Sequence, residues 1–370
     1  MKPRLLGIAC IAVLCVILNL GLWPFHPPRN EVAWLRDRRG LRFGDNGTVI
    51  SSGTFQVAGS PDETSCTIQI WLQPARTNDS GTILAFYSPD NPLRLSLHQS
   101  LTDLMLQVGM ASQQHWARKQ KIYVDDVFRR TRPVFVTITS GAQGTAVYVD
   151  GTLARTAQQF RLTATDCTGW LVLGGSSRQP DTWSGQVRGL AIYYSELPAR
   201  AVLRNYNAWT KNGQVQVAQN ERNAGLYFFN ERTGAVAHNR TGSGVDLFIP
   251  PTFTVLDKIF LEPFWDEFDM SWGYWKGVLK NIIGFIPLGS CFYAYFSLVR
   301  HCKRPALITI ILGATISLTI EVLQGYLPTR DSGTTDLITN TLGTYGGIMV
   351  CKATRVHGRL RAWYGATVDS

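Results

Sequence analysis

Polar side chains in and beside the apolar C-terminal segments are the residues of this chain best suited to chemistry. Seven of them, which we call the polar cluster, are Lys280, Asn281, Glu321, Gln324, Arg330, Asp336 and Asn340. Glu321 and Asp336 could act as general acid and base, and Arg330 could hold a phosphate or carboxylate through two hydrogen bonds.

A functional role is the first hypothesis for the polar cluster because ionisable side chains inside a membrane are costly. The alternative is a structural network in which Glu321 pairs with Arg330 or Lys280. The polar cluster contains neither histidine nor cysteine, which weakens metal-dependent hydrolysis and thiol chemistry. We therefore expect no metal and no cofactor, and we assign no residue as catalytic.

Four apolar segments are predicted to cross a bilayer and to position the polar cluster. The first lies within residues 1–25 and lacks the small-residue cleavage site of a signal peptide, which favours an uncleaved anchor. The others span about residues 277–299, 305–327 and 335–351. The last of these is short and rich in Gly and Thr, so its hydropathy alone is marginal.

Small residues and a proline are the candidates for close helix packing. Gly343 and Gly347 are four residues apart in the last span and share one helix face, which allows a neighbouring backbone to approach closely. Pro287 and Gly289 are the corresponding candidates in the second span.

Basic residues predict the orientation of the four spans. Both termini and the turn at 300–304 would lie on one side, and together they carry nine Lys and Arg residues against one acid. Because cytoplasmic loops carry this excess, we expect both termini in the cytoplasm and the polar cluster in the outer leaflet. The formal net charge of +10 is then largely a topology signal.

Composition excludes several other classes of protein. Hydrophobic residues make up 45% of the chain and aromatic residues 11%, which is too much for intrinsic disorder. Seven cysteines in 370 residues are too few for a disulfide scaffold. The segment between the first and second spans has no basic stripe interleaved with aromatic residues, so we expect no nucleic-acid partner.

Residues 45–210 show the period-two alternation that is typical of half-buried β-strands. The run from Thr67 to Gln73 alternates polar or aromatic residues with aliphatic ones. The Asp150-Gly151 pair between two short apolar runs predicts a two-residue hairpin. Many short strands separated by Gly, Pro, Asn and Asp favour an all-β sandwich.

Three segments of this region resemble the laminin-G-like, concanavalin-A-like jelly roll. They are 65–74, 146–151 and 183–194, in the order that the family shows, with Trp183 where the family usually has Phe. The resemblance implies a jelly-roll sandwich in a family that often binds glycans or proteins, while many members are simple spacers.

The aromatic and cysteine residues of this region leave two alternatives open. Exposed tryptophans could stack on sugars or could instead pack the sandwich, and the candidates are Trp71, Trp116 and Trp183. Cys66 and Cys167 could form a disulfide in an oxidising compartment or could remain two buried thiols.

The C-terminal motifs resemble the VanZ-like membrane family. Residues 280–289 are KNIIGFIPLG, residues 317–324 follow S-x-x-x-E-x-x-Q, and residues 330–343 follow R-x-x-x-x-x-D-x-x-x-N-x-x-G. The resemblance covers 275–351 and the first span. It implies an envelope protein of the bacterial inner (cytoplasmic) membrane, and the founding member of the family is associated with low-level resistance to the glycopeptide teicoplanin.

The predicted fold is a four-span α-helical membrane bundle with an all-β jelly-roll sandwich in its first extracytoplasmic loop. Its predicted parts are a first transmembrane helix (1–25), a juxtamembrane segment (26–44), the sandwich (45–210), a linker (211–260), a helical membrane domain (261–352) and a cytoplasmic tail (353–370).

Three functions compete on the sequence alone. The first is an envelope protein that recognises or handles cell-wall or surface-glycan material and is linked to teicoplanin tolerance. The second is a membrane enzyme that acts on a lipid-linked glycan or phospholipid through Glu321, Arg330 and Asp336. The third is an adhesion or scaffolding module, for which one span would suffice. The implied partners are the lipid bilayer and a glycan or its lipid-linked precursor, and the oligomeric state stays open.

Overall fold

The chain divides into a helical unit and a β unit, one inserted into the other. The computed structural model describes residues 3–57, 65–109, 120–176, 181–212, 223–242, 244–268, 270 and 272–353. The helical unit comprises Met1–Pro27 and Ile259–Ser370, and the β unit comprises Pro28–Lys258. The insertion of the β unit after the first helix agrees with the predicted order of the parts.

Six α-helices occur in the described residues, five of them in the helical unit. They are α1 (Pro3–Leu22), α2 (Ala199–Asn207), α3 (Phe264–Glu267), α4 (Trp272–Leu298), α5 (Pro305–Gly325) and α6 (Thr334–Ala353). A 3₁₀ turn (Ala164–Cys167) and a π-helical turn (Ala208–Asn212) lie in the β unit.

Three of the helices, α1, α4 and α5, are long and apolar enough to cross a membrane. Helix α6 has 20 residues, which is also long enough for a bilayer, but it carries more polar residues. It packs against both α4 and α5. Three of the four predicted spans are therefore confirmed in length and composition, and α6 as the fourth stays a prediction that its packing supports.

Glycines allow α4 and α6 to pack backbone against backbone. A Cβ atom added at Gly289 would meet the main chain of Thr344, and Cβ atoms at Gly343 and Gly347 would meet the main-chain oxygens of Ile282 and Ile286. The three glycines therefore lie in the α4–α6 interface, where a side chain of any size would separate the helices.

Pro287 does not have the helix-packing role that the sequence predicted. It lies inside α4, but its side chain is exposed. Residues two apart in an α-helix point to nearly opposite sides, so Pro287 cannot share the interface face of Gly289.

The β unit contains sixteen strands in the described residues. They are β1 (Val32–Trp34), β2 (Leu41–Phe43), β3 (Val49–Ser51), β4 (Cys66–Pro74), β5 (Asp79–Ser88), β6 (Asn91–Leu101), β7 (Asp103–Val108), β8 (Gln120–Val124), β9 (Val134–Gly141), β10 (Gly144–Val149), β11 (Thr152–Ala157), β12 (Trp170–Leu173), β13 (Gly185–Tyr193), β14 (Asn223–Tyr227), β15 (Val236–Ala237) and β16 (Leu247–Phe248).

These strands form two antiparallel sheets, which confirms the predicted jelly-roll-like sandwich. The first sheet has the order β1-β2-β13-β4-β9-β10-β11, with β14 also pairing with β13. The second has the order β15-β16-β3-β12-β5-β6-β7-β8. Neighbours such as β4 and β13 are far apart in sequence, so crossover connections build the sandwich.

Two apolar layers stabilise the sandwich. The main core lies on the inner faces of the sheets and includes the fully buried side chains of Ile68, Ile70 and Leu72 from β4. A second cluster includes Phe135 of β9, Val202 of α2 and Trp209. Helix α2 thereby contributes a buried apolar face to the β unit, as an amphipathic surface helix does.

The predicted hairpin at Asp150-Gly151 is confirmed. Strands β10 and β11 pair antiparallel across it, and the two turn residues have φ values of 52° and 78°. Asp150 also exchanges two hydrogen bonds with Phe135 of β9: its carboxylate accepts the Phe135 N–H at 2.9 Å, and its own N–H donates to the Phe135 carbonyl at 2.8 Å.

The observed β unit is longer at both ends than the predicted sandwich. Strand β2 pairs with β13, and so does β14, which lies in the predicted linker. Strand β16 pairs with β3. These added strands have two to five residues, too few to show a period-two pattern, which is why the sequence predicted a juxtamembrane segment and a linker instead.

Cys66 and Cys167 form a disulfide in the structure. Both residues are fully buried in the main core, and the bond joins β4 to the 3₁₀ turn. Of the two alternatives that the sequence left open, the structure contains the paired form.

Alanine at Gly343 or Gly347 should lower the thermal unfolding midpoint of the detergent-solubilised protein. The added Cβ would overlap the main chain of α4, and overpacking of this kind costs about 1–3 kcal/mol. Gly284→Ala is the matched control, since a Cβ at that position of α4 meets no atom within 4 Å. Equal midpoints for all three variants would contradict the close α4–α6 packing.

Removing the disulfide should destabilise the β unit. The bond closes a loop with a sequence separation of 101, and loss of a native disulfide typically costs about 2–5 kcal/mol. We expect the Cys66→Ala/Cys167→Ala variant to unfold at lower denaturant concentration than wild type. Cys302→Ala, which changes a free cysteine, serves as control. An unchanged midpoint in the double variant, with wild type insensitive to reductant, would rule out a stabilising bond.

Candidate functional site

The polar cluster is divided among three helices and a loop. Asn281 lies on α4, Glu321 and Gln324 lie at the end of α5, and Asp336 and Asn340 lie at the start of α6. Arg330 lies in the loop between α5 and α6. Lys280 also lies on α4, but it is exposed.

Glu321 is the most deeply buried ionisable member of the polar cluster, with 1% of its surface exposed. Its Oε2 accepts a hydrogen bond from the Gly333 amide at 2.8 Å. Its main-chain oxygen accepts a second bond from the Ser332 hydroxyl at 2.7 Å. Glu321 therefore ties the end of α5 to the loop that leads into α6.

A second carboxylate, on Glu267 of α3, reaches the same loop. Its Oε2 accepts the Thr335 amide at 2.9 Å, while the Thr334 amide donates to the Glu262 carbonyl at 2.8 Å. Carboxylates near the first amides of a helix satisfy donors that have no partner inside the helix and interact favourably with its dipole. Carboxylates of α3 and α5 thus bind main-chain amides at and just before the start of α6.

Two amide side chains join α6 to its neighbours. Asn281 of α4 hydrogen-bonds the side chain of Asp336, and the Asn340 Nδ2 donates to the Ser317 hydroxyl of α5 at 3.0 Å. The Oδ1 of Asn340 is buried and has no hydrogen-bond partner in the described residues.

Gln324 and Arg330 bind the C-terminal end of α1. Gln324 Nε2 donates to the Gly21 carbonyl at 2.8 Å. The Arg330 guanidinium donates from Nε to the Trp23 carbonyl at 2.9 Å and from Nη2 to the Leu20 carbonyl at 3.4 Å. A cation at the last carbonyls of a helix satisfies them and complements the dipole.

Six of the seven members of the polar cluster therefore make contacts that join helices or loops of the helical unit, and Gln324 and Arg330 make those to the end of α1. Arg330 contacts α1 carbonyls and Glu321 contacts the Gly333 amide, which differs from the ion pair considered from the sequence. The described residues contain no group of three or more His, Cys, Asp or Glu side chains placed to hold a metal ion.

Sequence reasoning missed Glu267, Ser332 and Gly333. Glu267 lies in an aromatic segment that resembles a membrane-interface belt, and its partner Thr335 is 68 residues away in sequence. No local pattern marks such a pair. Ser332 and Gly333 lie between Arg330 and Asp336, so their position in the motif was the available signal.

In the β unit, the tryptophans that the sequence suggested for sugar stacking differ in exposure and in contacts. Trp183 is fully buried, and its indole Nε1 donates to Gln99 Oε1 at 2.7 Å, so it packs the core. Trp71 is half-buried, with the Arg188 guanidinium carbon 5.4 Å from its ring centroid. Trp116 lies outside the described residues.

A hydrogen-bonded polar group on the second sheet also escaped the sequence analysis. The Thr82 hydroxyl donates to Asp181 Oδ2 at 2.5 Å and lies 3.0 Å from His98 Nδ1. His98 Nε2 lies 2.8 Å from the Ser96 hydroxyl. Burial acts to raise the pKa of Asp181, but the hydrogen bonds from His98 and Thr82 outweigh it and hold the pKa below its ordinary value.

The contribution of Asp181 to stability should therefore depend on pH. A carboxyl group with a lowered folded-state pKa stabilises the protein above its unfolded-state pKa of about 4, and this contribution is lost as pH falls through the folded-state value. We expect Asp181→Asn to be less stable than wild type at pH 7 and to differ less at pH 3, as measured by urea unfolding. A difference that does not change with pH would contradict the role of the ionised carboxylate.

Comparison with known proteins gives two family matches. The family model described as VanZ/LLP1 matches residues 224–355. The model described as Concanavalin A-like lectin/glucanases superfamily matches residues 44–203. No curated protein matches the chain significantly.

Several solved structures resemble part of this chain at low sequence identity. A putative carbohydrate binding protein from Bacteroides ovatus ATCC 8483 is 15% identical, with 60% of this chain and 62% of that chain covered and a TM-score of 0.41. The receptor binding domain of botulinum neurotoxin D is 13% identical, with 50% and 48% covered and a TM-score of 0.39. The chain thus covers less than two thirds of the length of either structure.

The two family matches do not coincide with the two structural units, because the VanZ/LLP1 match begins inside the β unit, at residue 224, and does not include α1. The VanZ/LLP1 match includes α3 to α6 and every member of the polar cluster, and the concanavalin A-like match includes most strands of both sheets. The chain thus combines a region similar to the VanZ/LLP1 family with a region similar to the concanavalin A-like superfamily, and three of its helices are long and apolar enough to cross a membrane.

Proposed function

We propose that this protein is an envelope protein of the bacterial inner membrane whose lectin-like domain, outside the cytoplasm, recognises cell-wall or surface glycan. The observation that carries the proposal is the insertion of a concanavalin A-like sandwich between helices that are apolar enough to cross a membrane. A glycan-binding fold that is joined to the membrane at both of its ends is suited to hold polymer near the bilayer.

Two features support the proposed location. The buried disulfide is of the kind that forms and persists in oxidising compartments outside the cytoplasm. The excess of basic residues at both termini and at 300–304 favours those segments in the cytoplasm. Both features are consistent with an extracytoplasmic β unit and with cytoplasmic N- and C-termini.

We further propose that the polar cluster gives the helical unit a role in glycopeptide tolerance rather than simple anchoring. Its side chains fasten α1, α5 and α6 to one another through buried hydrogen bonds. A single apolar helix would anchor an adhesion or scaffolding module without any such network. That alternative therefore does not require the additional helices or the contacts among them.

The enzyme alternative is less well supported by the geometry. A general acid or base has to reach the proton that it transfers. Glu321 is almost fully buried and its carboxylate accepts a main-chain amide, so it acts on the loop rather than on a substrate. Release of product from a lipid-linked glycan by the purified protein would restore this alternative.

Two measurements on the full-length protein test the proposal. Wild-type protein in lipid nanodiscs should retain fluorescently labelled cell-wall or surface polysaccharide, whereas empty nanodiscs should not. Cells that carry Arg330→Ala should lose teicoplanin tolerance toward the level of cells without the protein, because the variant loses its bonds to the α1 carbonyls.

The matched control for the second measurement is Thr315→Ala at equal expression. Thr315 is an exposed residue of α5 whose hydroxyl bonds only within its own helix, to the Ile311 carbonyl. It should leave tolerance unchanged. Wild-type behaviour of Arg330→Ala together with absence of glycan retention would favour the adhesion or scaffolding alternative.

A further inference from the structure

The open side of the sandwich contains a groove that none of the residues discussed above explains. Strand β8 ends the second sheet and β11 ends the first, and in the described residues each pairs with a neighbour on one side only. Between them lies a groove of about 730 Å³. Its lining includes the polar and aromatic residues Gln120, Lys121, Tyr123, Arg155, Gln158 and Gln159.

A second cavity adjoins this groove. It has a volume of about 490 Å³ and shares Gln120 with the first. Its charged lining consists of Asp90, Arg94, Arg161 and Asp166. We call the groove and this cavity together the cleft, and their combined volume exceeds the range of about 300–1,000 Å³ that is usual for a small-ligand site.

Tyr123 offers the cleft an aromatic surface. It lies on β8 between Ile122 and Val124, whose side chains are buried in the main core. Because side chains alternate along a strand, Tyr123 points away from that core, and 43% of it is exposed. An exposed ring of this kind has an apolar face for the C–H groups of a sugar and a hydroxyl for its polar groups.

The charge of the cleft favours an anionic ligand. Lys121, Arg155 and Arg161 are exposed, and only two acidic residues line the cleft. One of them, Asp166, already accepts hydrogen bonds from Thr163. Around these cations the glutamine amides supply both donors and acceptors, as the hydroxyl groups of a sugar require.

Arg94 is a further cation that lines the second cavity. Its Nη1 donates to the Thr165 carbonyl at 2.8 Å, and its Nη2 donates to the Ser88 hydroxyl at 2.9 Å. Its Nε is buried and has no hydrogen-bond partner in the described residues. The bonds to Thr165 and Ser88 hold the Arg94 side chain in place, and its charge adds to the cationic lining of the second cavity.

We propose that this cleft, between β8 and β11, binds an anionic polysaccharide chain, with Tyr123 stacking on a sugar ring and Lys121, Arg155 and Arg161 contacting its acidic groups. This proposal rests on the proposed function and specifies its ligand class. A peptide that adds a strand to the β11 edge fits less well, because the β10–β11 pairing is irregular at Val147/Tyr148 and bulges of this kind discourage edge pairing.

The test compares three probes on the full-length protein in nanodiscs, by equilibrium binding. The probes are hexagalacturonate, its neutral methyl ester and a poly(glycerol phosphate) of similar length. Wild type should bind one or both anionic probes more tightly than the neutral one, and the affinity should fall with added salt. The two anionic probes distinguish carboxylate from phosphate as the acidic group.

Two variants locate the binding site. Lys121→Gln/Arg155→Gln should weaken binding of the preferred anionic probe by about fivefold to tenfold, since exposed charge contacts contribute up to about 1 kcal/mol each. Tyr123→Ala should weaken binding of every probe that wild type binds. Arg200→Gln, which changes an exposed arginine on α2, is the matched control and should bind as wild type does.

The possible failures are distinguishable from one another. Glycan binding by wild type that neither cleft variant weakens, or equal affinity for neutral and anionic probes, would overturn the cleft proposal and leave the proposed function standing. Absence of binding to any polysaccharide would overturn both. Competition by an extended peptide but by no polysaccharide would replace the glycan with a strand partner.

Discussion

Main-chain groups at the ends of helices need partners, and near a membrane the protein itself has to supply them. This constraint accounts for most of the polar cluster. The last carbonyls of α1 are bound by Gln324 and Arg330, and amides at the start of α6 are bound by Glu321 and Glu267. Side chains whose types would serve catalysis are used here to complete helix ends, so the fold of the helical unit depends on them.

The spacing S-x-x-x-E-x-x-Q acquires a physical meaning from these contacts. Residues 317, 321 and 324 repeat along one face of α5. Ser317 contacts Asn340 of α6, Glu321 contacts the loop at Gly333, and Gln324 contacts α1. One helix face thus makes three links to three different parts of the unit. A change at any one of the three positions would remove the contact with a different part of the unit. Each of the three motif residues therefore has its own structural role.

Local patterns predicted the parts of the fold that local physics determines. Apolar runs indicated α1, α4 and α5, and the Asp150-Gly151 pair indicated the β10–β11 hairpin. Two sets of contacts could not be predicted: the hydrogen bond from the Thr335 amide to Glu267, and the polar group of Thr82, His98 and Asp181. Each needs a partner far away in sequence. Strands β14 to β16 are too short for a periodic signal. Trp183 was ambiguous for another reason: a buried tryptophan N–H usually finds an acceptor, and the acceptor here, Gln99, is 84 residues away in sequence.

The basic residues of the chain fall into two groups with different causes. Those at the termini and in the turn at 300–304 agree with membrane orientation, which depends on short segments close to the spans. Long translocated segments escape that rule, so orientation does not explain Lys121, Arg155 and Arg161. Exposed cations can be placed anywhere on a sandwich without affecting its core. Lys121 and Arg155 line the same groove as Tyr123, and Arg161 lines the second cavity. This grouping of cations therefore needs a cause outside folding, and the proposed polyanionic ligand would supply one.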